Sequence, residues 1–512
     1  MSGRGYPLLL AAALLLAVAY LASHAPFAFY SPDGSYHAAK LLRAREGEPF
    51  VDPFSGTPSI YPSLFHWCYA ALGELLRLSS LRLFGVAGAL NFLALFAAFL
   101  ALARTALGTL ERAAFAALLL PLLFYAPSGR HILVANPANL GLPLLLAGAT
   151  LLARSLGGGR AALLGGAALA SLAANVVWYL ALPAAALLAV RLALDGSWRR
   201  PRLVAALLVA ALLPCAFTAW HFYSISEGLP AYRGFGGGAA FSVEILGRWL
   251  EALFDKGNRR FLALPEHDPL AFAYFYLGVL PFAAFVSFVV ARRAAELSRP
   301  HATPALRLLA WSGALTLLLS LGLATTGDFP RVVSVQFAGW AMLALVALEW
   351  LLQERGALAS AARLAAVAVG LAGLLATVRH GGPPFEAEPP PRTRAVIEFL
   401  RALPDHARLR VYVSEAHLRE LAPFVTFLSF VNHVEGRYHG QDPVSSAELL
   451  AAYRAIRERG VGWRAALAAQ HVRYLAFRHS DPDDRELGLL YLAEGRAALQ
   501  NPEWWVVELE AR

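Results

Sequence analysis

The stretch SPDGSYHAAK at residues 31–40 follows an apolar run from Pro7 to Ala22, and the same loop closes with YPSLFH at residues 61–66. It sets Asp33 and His37 a few residues beyond a segment long enough to cross a bilayer. Polar groups this close to hydrocarbon cost free energy, so they indicate a function. The stretch therefore predicts a functional site at a membrane boundary.

The composition indicates a membrane protein. Of 512 residues, 58% are hydrophobic and only 15% are charged, and uncharged runs near 20 residues recur along the first 380 positions. The net charge of +9 is therefore read by its location, and we expect no nucleic-acid partner. Lys40 and Lys256 are the only lysines among 44 basic residues. Such arginine bias is typical of GC-rich coding DNA and favours a bacterial source.

The apolar runs predict about eleven transmembrane helices. We place them near residues 6–24, 82–103, 113–127, 139–153, 161–175, 178–193, 203–222, 270–291, 306–325, 332–352 and 361–378. With this count, one side of the membrane carries most of the arginines in the connections, and this side is predicted to be cytoplasmic. The amino terminus is then cytoplasmic, everything after about residue 379 is outside, and the localisation is a bacterial cytoplasmic (inner) membrane.

Two domains are predicted. Residues 1–379 form the membrane domain, with outer loops at 25–81 and 223–269. The piece from Tyr36 to Arg45 looks like an amphipathic helix lying on the membrane surface. Residues 63–77 are apolar enough for a short span, but a crossing there would put the following arginines on the wrong side. We place this segment in the interface or as a re-entrant element, and whether it crosses stays open.

Residues 380–512 are predicted to form a small extracytoplasmic α/β domain. Glycines and prolines at 381–391 separate it from the last span. Helical and strand patterns then alternate. The predicted helices lie near 393–403, 446–459, 463–470 and 485–499, and the predicted strands lie at 409–413, 472–477 and 504–509.

The first outer loop resembles that of GT-C membrane glycosyltransferases. The resemblance rests on Asp33 in DGSYH, on DPF at 52–54 and on YPSLFH at 61–66. The alternating topology and the outward carboxy-terminal domain are also similar. The superfamily includes the oligosaccharyltransferase catalytic subunit, protein O-mannosyltransferases and the lipid A aminoarabinose transferase. The resemblance implies a hexosyl or pentosyl transferase whose partners are a polyprenyl-phosphate-linked sugar donor, membrane lipid, and a glycan, lipid or protein acceptor.

For such a transfer the resemblance implies that Asp33 is the general base, acting with inversion at the anomeric carbon. The alternative is that Asp33 only caps a helix starting near Ser35. His37 lies one helical turn after Asp33 and can orient the acid, ligate a metal or simply sit at the interface. Tyr61 and His66, in the closing motif, are further candidates for donor binding.

Two further segments carry candidate donor-binding residues. Arg331 begins a late span on the outer side, where GT-C enzymes similarly hold the lipid phosphate, and Asp328 can pair with it. The alternative for Arg331 is a snorkelling side chain at a helix end. Arg130 and His131 can bind the donor phosphate, and the alternatives are that they cap a helix or lie at the headgroups.

The loop at 126–137 departs from the family pattern because it contains no Asp or Glu, whereas several GT-C branches carry a metal-binding acid there. The cofactor therefore stays undetermined: a divalent metal is compatible with the sequence and is not required by it.

Two other functions compete with the transferase: a flippase or transporter for lipid-linked glycans, and a non-catalytic assembly protein for cell-envelope glycans. Transporters usually show repeats and ionisable residues at mid-membrane. Here the predicted spans are nearly free of charge and the polar motifs cluster at one face. The transferase is therefore the favoured interpretation.

Overall fold

The structure is a computed structural model of the chain. It describes residues 5–23, 32–50, 64–78, 80–125, 137–216, 218, 220, 247, 277–278, 280–297, 303–325, 329–379, 391–403, 410–414, 421, 429–431 and 443–509. The chain divides into two compact units. Unit 1 comprises residues 1–27, 86–217 and 233–383, and unit 2 comprises residues 28–85, 218–232 and 384–512.

The described residues form α-helices and one sheet. The helices are α1 Gly5–Ser23, α2 Pro32–Arg45, α3 Leu64–Leu76, α4 Ser80–Leu107, α5 Leu110–Leu118, α6 Leu120–Tyr125, α7 Pro137–Arg154, α8 Arg160–Val176, α9 Ala181–Leu194, α10 Pro201–Leu212, α11 Leu280–Leu297, α12 Pro304–Ala324, α13 Phe329–Gln353, α14 Ala357–Arg379, α15 Pro391–Arg401, α16 Pro443–Glu458, α17 Trp463–Ala469 and α18 Pro482–Leu492. The strands are β1 Arg410–Val413, β2 Ser429–Val431, β3 Val472–Arg478, β4 Arg496–Gln500 and β5 Trp504–Glu508.

Each of the eleven predicted spans contains a helix. Among the described residues, five helical segments are long and apolar enough to cross a membrane: Val86–Leu107, Pro137–Gly157, Pro304–Ala324, Val332–Gln353 and Ala357–Leu375. Four more apolar helices are shorter, and the span predicted at 113–127 is divided between α5 and α6 at Leu119. The chain is a multi-pass helical membrane protein, and the count of eleven spans stays a prediction.

Helices α12 and α13 pack closely through glycine. A Cβ atom on Gly313 would lie 2.9 Å from the carbonyl oxygen of Gly339 and 2.9 Å from Leu343 Cγ. Without a hydrophobic driving force between spans in lipid, small residues that let backbones approach are what hold helices together. In the most apolar window of α13, 94% of the residues are buried, so this helix lies at the centre of unit 1.

Charged side chains in the membrane helices lie near helix ends. Within the described part of unit 1, the buried charged residues are Arg191, near the end of α9, and Glu349, near the end of α13. Arg191 donates to Asp195 (2.6 Å) and to Ser155 Oγ (2.8 Å), and Glu349 accepts from Arg293 (2.5 Å). Both helix ends lie on the side predicted to be cytoplasmic. That orientation stays a prediction.

Unit 2 contains the sheet, in the order β2-β1-β3-β5-β4. Strands β2, β1 and β3 are parallel, whereas β5 runs antiparallel to both β3 and β4. One face of the sheet packs against α15, and the opposite face packs against α16, α17 and α18. The predicted α/β organisation after residue 380 matches this sheet, but whether the domain boundary lies at 380 and which side of the membrane it occupies stay predictions.

The structure corrects one element of the predicted tail. The helix predicted at 485–499 ends at Leu492, and residues 496–500 form β4 instead. Gly495 explains the change, because a Cβ atom there would lie 2.8 Å from Val507 Cγ1 and 2.9 Å from the Glu508 carbonyl oxygen. The chain turns at this glycine to bring β4 alongside β5. Strand β2, only three residues long, was not predicted.

Candidate active site

Helix α2 is enclosed by protein along its middle. Every side chain from His37 to Arg43 is buried, and seven consecutive residues cover the whole circumference of an α-helix. Protein, and not water or headgroups, therefore covers the polar face that a free interfacial helix would expose, and whether the helix lies at the level of the membrane surface stays a prediction. His37, Lys40 and Arg43 are instead removed from solvent, with exposures of 2%, 0% and 4%.

Asp33 lies in the first turn of α2, directly after Pro32. Proline fits the first turn because its missing N–H has no helical partner there, and an acid in this turn is favoured by the helix dipole. The alternative interpretation, that Asp33 caps a helix starting near Ser35, places the start of this helix too late, because α2 begins at Pro32. The Asp33 side chain lies outside the described residues, so its role as a base stays a prediction.

His37 and His66 form a buried pair. His37 Nδ1 lies 3.2 Å from His66 Nε2, and the two rings are stacked with their centroids 5.3 Å apart. Phe65 presents its ring edge-on to His37. One imidazole donates an N–H and the other accepts it, so the pair shares one hydrogen between its facing nitrogens. The structure thus brings together two of the predicted site residues, 29 positions apart in the sequence.

Ion pairs fix the geometry of α2 against its neighbours. Arg45 donates to Glu74 Oε1 (2.9 Å) and to the Leu78 carbonyl (2.8 Å), which ties the end of α2 to the end of α3. Arg43 donates to Glu48 Oε2 (3.2 Å) in the following turn. At 13 residues, α3 is about 20 Å long and falls short of the ~30 Å hydrocarbon core. It packs on α2 within unit 2, which favours the non-crossing interpretation of residues 63–77.

Lys40 is a further candidate, which was not predicted from the sequence. It lies three positions after His37, on the same face of α2, and it is fully buried. A lysine is a rare choice in this arginine-rich chain, and a compact ammonium group differs from a guanidinium in charge distribution and hydrogen-bond geometry. The rarity of lysine in this chain is the feature of the sequence that could have drawn attention to Lys40.

Aromatic side chains join the first outer loop to the end of the span predicted at 203–222. Trp220, near the end of that predicted span, contacts Phe50 edge-to-face with ring centroids 4.9 Å apart and Trp67 of α3 with ring centroids 6.1 Å apart. Trp67 and Trp220 are both partly exposed. Such amphipathic rings are typical of the membrane–water interface, which fits a position of the α2–α3 pair at that level.

The remaining predicted site residues are not tested. Arg331 lies in the first turn of α13, with its side chain outside the described residues. The others that lie outside the described residues altogether are Tyr61, Arg130, His131 and Asp328. Their proposed contacts with the donor stay predictions.

The described residues contain no group of three or more His, Cys, Asp and Glu side chains that could hold a metal ion. His37 and His66 offer two imidazole nitrogens, so a metal bound there would need ligands from outside the described part of the chain.

The carboxyl ends of β1 and β3 are the other place where an α/β domain commonly binds a ligand. Here the buried Asp484 carboxylate joins them, accepting from Ser414 Oγ at 3.0 Å and from the Arg478 backbone N–H at 3.3 Å. The carboxylate therefore ties the two strand ends together. The α2–α3 pair is the better candidate for an active site.

Solved structures share this fold along the whole chain. The crystal structure of ArnT from Cupriavidus metallidurans bound to undecaprenyl phosphate matches with a TM-score of 0.61 at 15% identity, over 99% of this chain and 98% of that one. Its apo structure matches over the same shares with a TM-score of 0.54 at 14% identity. The chain has the GT-C glycosyltransferase fold.

The arabinofuranosyltransferase AftD from Mycobacteria matches with a TM-score of 0.58 at 15% identity, over 100% of this chain and 40% of that one. No family model matches this chain, and no curated protein matches it in sequence. The GT-C resemblance inferred from the first outer loop is thus confirmed at the level of the fold, and the identities are too low to carry more than that.

Proposed function

We propose that this GT-C protein is a membrane glycosyltransferase, which moves a hexosyl or pentosyl group from a polyprenyl-phosphate-linked donor to a glycan, lipid or protein acceptor on the extracytoplasmic face. The observation that carries the proposal is helix α2, which bears Asp33 and buries three polar side chains at the position of the family motif. One structure that matches over 99% of this chain, that of ArnT, was solved with undecaprenyl phosphate, a lipid of the proposed donor class.

Asp33 is the proposed general base. Its carboxylate takes the proton of the acceptor hydroxyl or amine while the acceptor atom forms a bond to the anomeric carbon. The bond from that carbon to the phosphate oxygen breaks, and its electron pair leaves on the polyprenyl phosphate. Attack from the side opposite the leaving group inverts the anomeric centre. A positioned base contributes about 10²–10⁴-fold to such a step.

His37 is a proposed positioning residue. It lies one helical turn after Asp33, and its hydrogen bond with His66 fixes the orientation of its ring. A histidine whose second nitrogen is held in this way presents its first nitrogen in a defined tautomer. We expect that defined orientation to hold the carboxylate or the donor in place.

The departing phosphate carries developing negative charge, and fixed cations aimed at it lower the barrier. Arg331, paired with Asp328, is the proposed phosphate contact, together with Arg130 and His131. Tyr61 and His66 complete the proposed donor site. This assignment requires the amino terminus to be cytoplasmic and the outer loops and the domain after residue 380 to be extracytoplasmic, in a bacterial inner membrane.

The transporter alternative receives no support from the described residues. Transport pathways are marked by ionisable groups at mid-membrane. In the described part of unit 1, the buried charged residues Arg191 and Glu349 lie near helix ends. The buried polar groups nearer to mid-helix are hydroxyls and amides, such as Ser312 and Thr316.

The test measures release of polyprenyl phosphate by the purified protein from defined polyprenyl-phosphate hexose and pentose donors, with a cell-envelope extract supplying acceptors. We expect Asp33→Asn to lower turnover at least 100-fold, because asparagine cannot take the proton. Asp483→Asn is the matched control, since Asp483 is a solvent-exposed acid of α18, and its turnover should stay within twofold of the wild type. Undiminished turnover by Asp33→Asn would remove Asp33 from this role.

A further inference from the structure

Helix α2 contributes to the hydrophobic core of the carboxy-terminal sheet. Ala39 is 3% exposed and belongs to the same buried cluster as Val396 and Leu400 of α15, Val413 of β1 and Ala476 of β3. Ala39 and Val396 are more than 350 positions apart in the sequence. The sheet face that α15 covers is therefore also covered by a helix of the first outer loop.

The opposite side of α2 carries the proposed active-site positions. Residues two apart on an α-helix point about 200° apart, so His37 lies nearly opposite Ala39. His37 contacts His66 of α3 on that side. Asp33, four positions before His37, occupies the same face of the helix as His37. Helix α2 thus lies between the sheet domain on one side and α3 on the other.

We infer that the carboxy-terminal domain acts as a positioning element for the proposed base, because it sets the location of α2 through the Ala39 contact. The inference rests on the proposed function. Residues 28–85 and 384–512 belong to the same compact unit. The packing of the domain against α2 means that a change at the contact between them displaces the helix that carries Asp33 and His37.

Alanine at position 39 is what allows this arrangement. A methyl group lets the helix backbone approach the sheet, and protein interiors are packed too densely to accept extra carbon atoms without movement. Leucine at this position adds three carbon atoms between α2 and the sheet. His66 contacts the other side of the helix, and the Arg45–Glu74 pair holds its end. The added carbon atoms therefore fit only if the whole helix is displaced.

The test compares Ala39→Leu with Ala452→Leu in the full-length protein. Ala452 of α16 is 1% exposed and lies in the core on the opposite face of the same sheet, so the two variants overpack one domain from its two sides. We expect Ala39→Leu to lower kcat at least tenfold, because the displaced helix carries the proposed base, and to change the donor KM by a smaller factor, because Arg331, the proposed phosphate contact, lies on a different helix. Ala39→Val should give an intermediate kcat, and Ala452→Leu should leave kcat within twofold.

Hydrogen exchange provides a readout that needs no activity. The amides of residues 37–43 should exchange at least tenfold faster in Ala39→Leu than in the wild type, and at the wild-type rate in Ala452→Leu. Equal losses of kcat in both leucine variants, or unchanged exchange of α2 in Ala39→Leu, would overturn the inference. If Asp33→Asn keeps full turnover while Ala39→Leu still exposes the α2 amides, then the proposed base is wrong and the structural coupling holds.

Discussion

Helices α13 and α2 are both surrounded by protein, but they bury different kinds of side chain. Helix α13 is mostly apolar, its buried polar residues Ser334, Gln336 and Glu349 lie toward its two ends, and Gly339 lets it approach α12 at backbone distance. Helix α2 buries His37, Lys40 and Arg43 within seven residues. Burying an apolar side chain needs no further explanation, whereas burying a charge costs free energy unless it is paired.

The difference separates residues that are needed for packing from residues that are proposed to serve the reaction. The packing of α13 determines that the membrane unit folds, and many apolar sequences of similar volume would serve there. Buried polar residues such as those of α2 are often no more stabilising than apolar residues of similar volume, so a purely structural helix does not require them. Substitutions in the first helix should therefore change stability, and substitutions in the second should change turnover.

The largest effect on stability is expected at the α12–α13 crossing. Gly313→Ala places a Cβ atom 2.9 Å from the Gly339 carbonyl oxygen, and overpacking of this kind costs about 2 kcal/mol. The melting temperature in detergent should fall by several degrees, while turnover per folded molecule stays unchanged. Gly322→Ala on the same helix is the matched control, because nothing lies within 4 Å of its Cβ position. Equal melting of the two variants would contradict close packing at this crossing.

A smaller effect on stability and a larger one on turnover are expected at the histidine pair. His66→Leu removes the hydrogen bond to His37 and should cost about 1 kcal/mol of stability. Turnover should fall about tenfold, because the His37 ring loses its fixed orientation. The double variant His37→Leu/His66→Leu should regain most of the lost stability but none of the turnover, since replacing both partners of a buried hydrogen bond is close to neutral. Additive effects of the two substitutions on stability would show that the rings are not coupled.

Much of the fold could be predicted because its signals are local. Among the described residues, apolar runs near 20 residues predicted every helix of unit 1, and the alternation of patterns after residue 380 predicted three of the five strands. The turn at Gly495 was missed because the need for glycine there comes from Val507 and Glu508 on the neighbouring strand. A helical pattern in one segment does not reveal that contact.

The sequence allowed the residues of the candidate site to be chosen, but it did not allow the surroundings of their side chains to be predicted. His37 and His66 were both chosen from the sequence, but their contact depends on the packing of α3 against α2. The enclosure of α2 escaped prediction for the same reason, since its covering residues, such as Val396 and Leu400, lie hundreds of positions away. An amphipathic pattern gives the polar face of a helix and does not tell whether water, lipid or protein lies against it.

The smallest expected effect is a pH dependence of the stability of the carboxy-terminal domain, which should also change hydrogen exchange in α2. Burial of the Glu508 carboxyl in β5 acts to raise its pKa, but hydrogen bonds from Arg496 and Arg473 outweigh burial, and the pKa is lowered from its ordinary value of 4.5. A pKa that is lower in the folded state contributes stability above the unfolded value, and that contribution is lost as the pH falls through the folded value. The domain should therefore lose stability below about pH 4.5.

Glu508→Gln removes this contribution, so its melting temperature should be lower than that of the wild type at pH 7 and should approach the wild-type value near pH 3. Ala39 belongs to the same buried cluster as Val506, which lies two positions before Glu508 on β5. The loss of stability in the sheet should therefore also reach α2. Hydrogen exchange at residues 37–43 should accelerate in the wild type between pH 5 and pH 3, after correction for the intrinsic rate, and less so in Glu508→Gln. Acceleration confined to the sheet would show that α2 holds its position without the domain, which would leave the α2–α3 contacts as its sole support among the described residues.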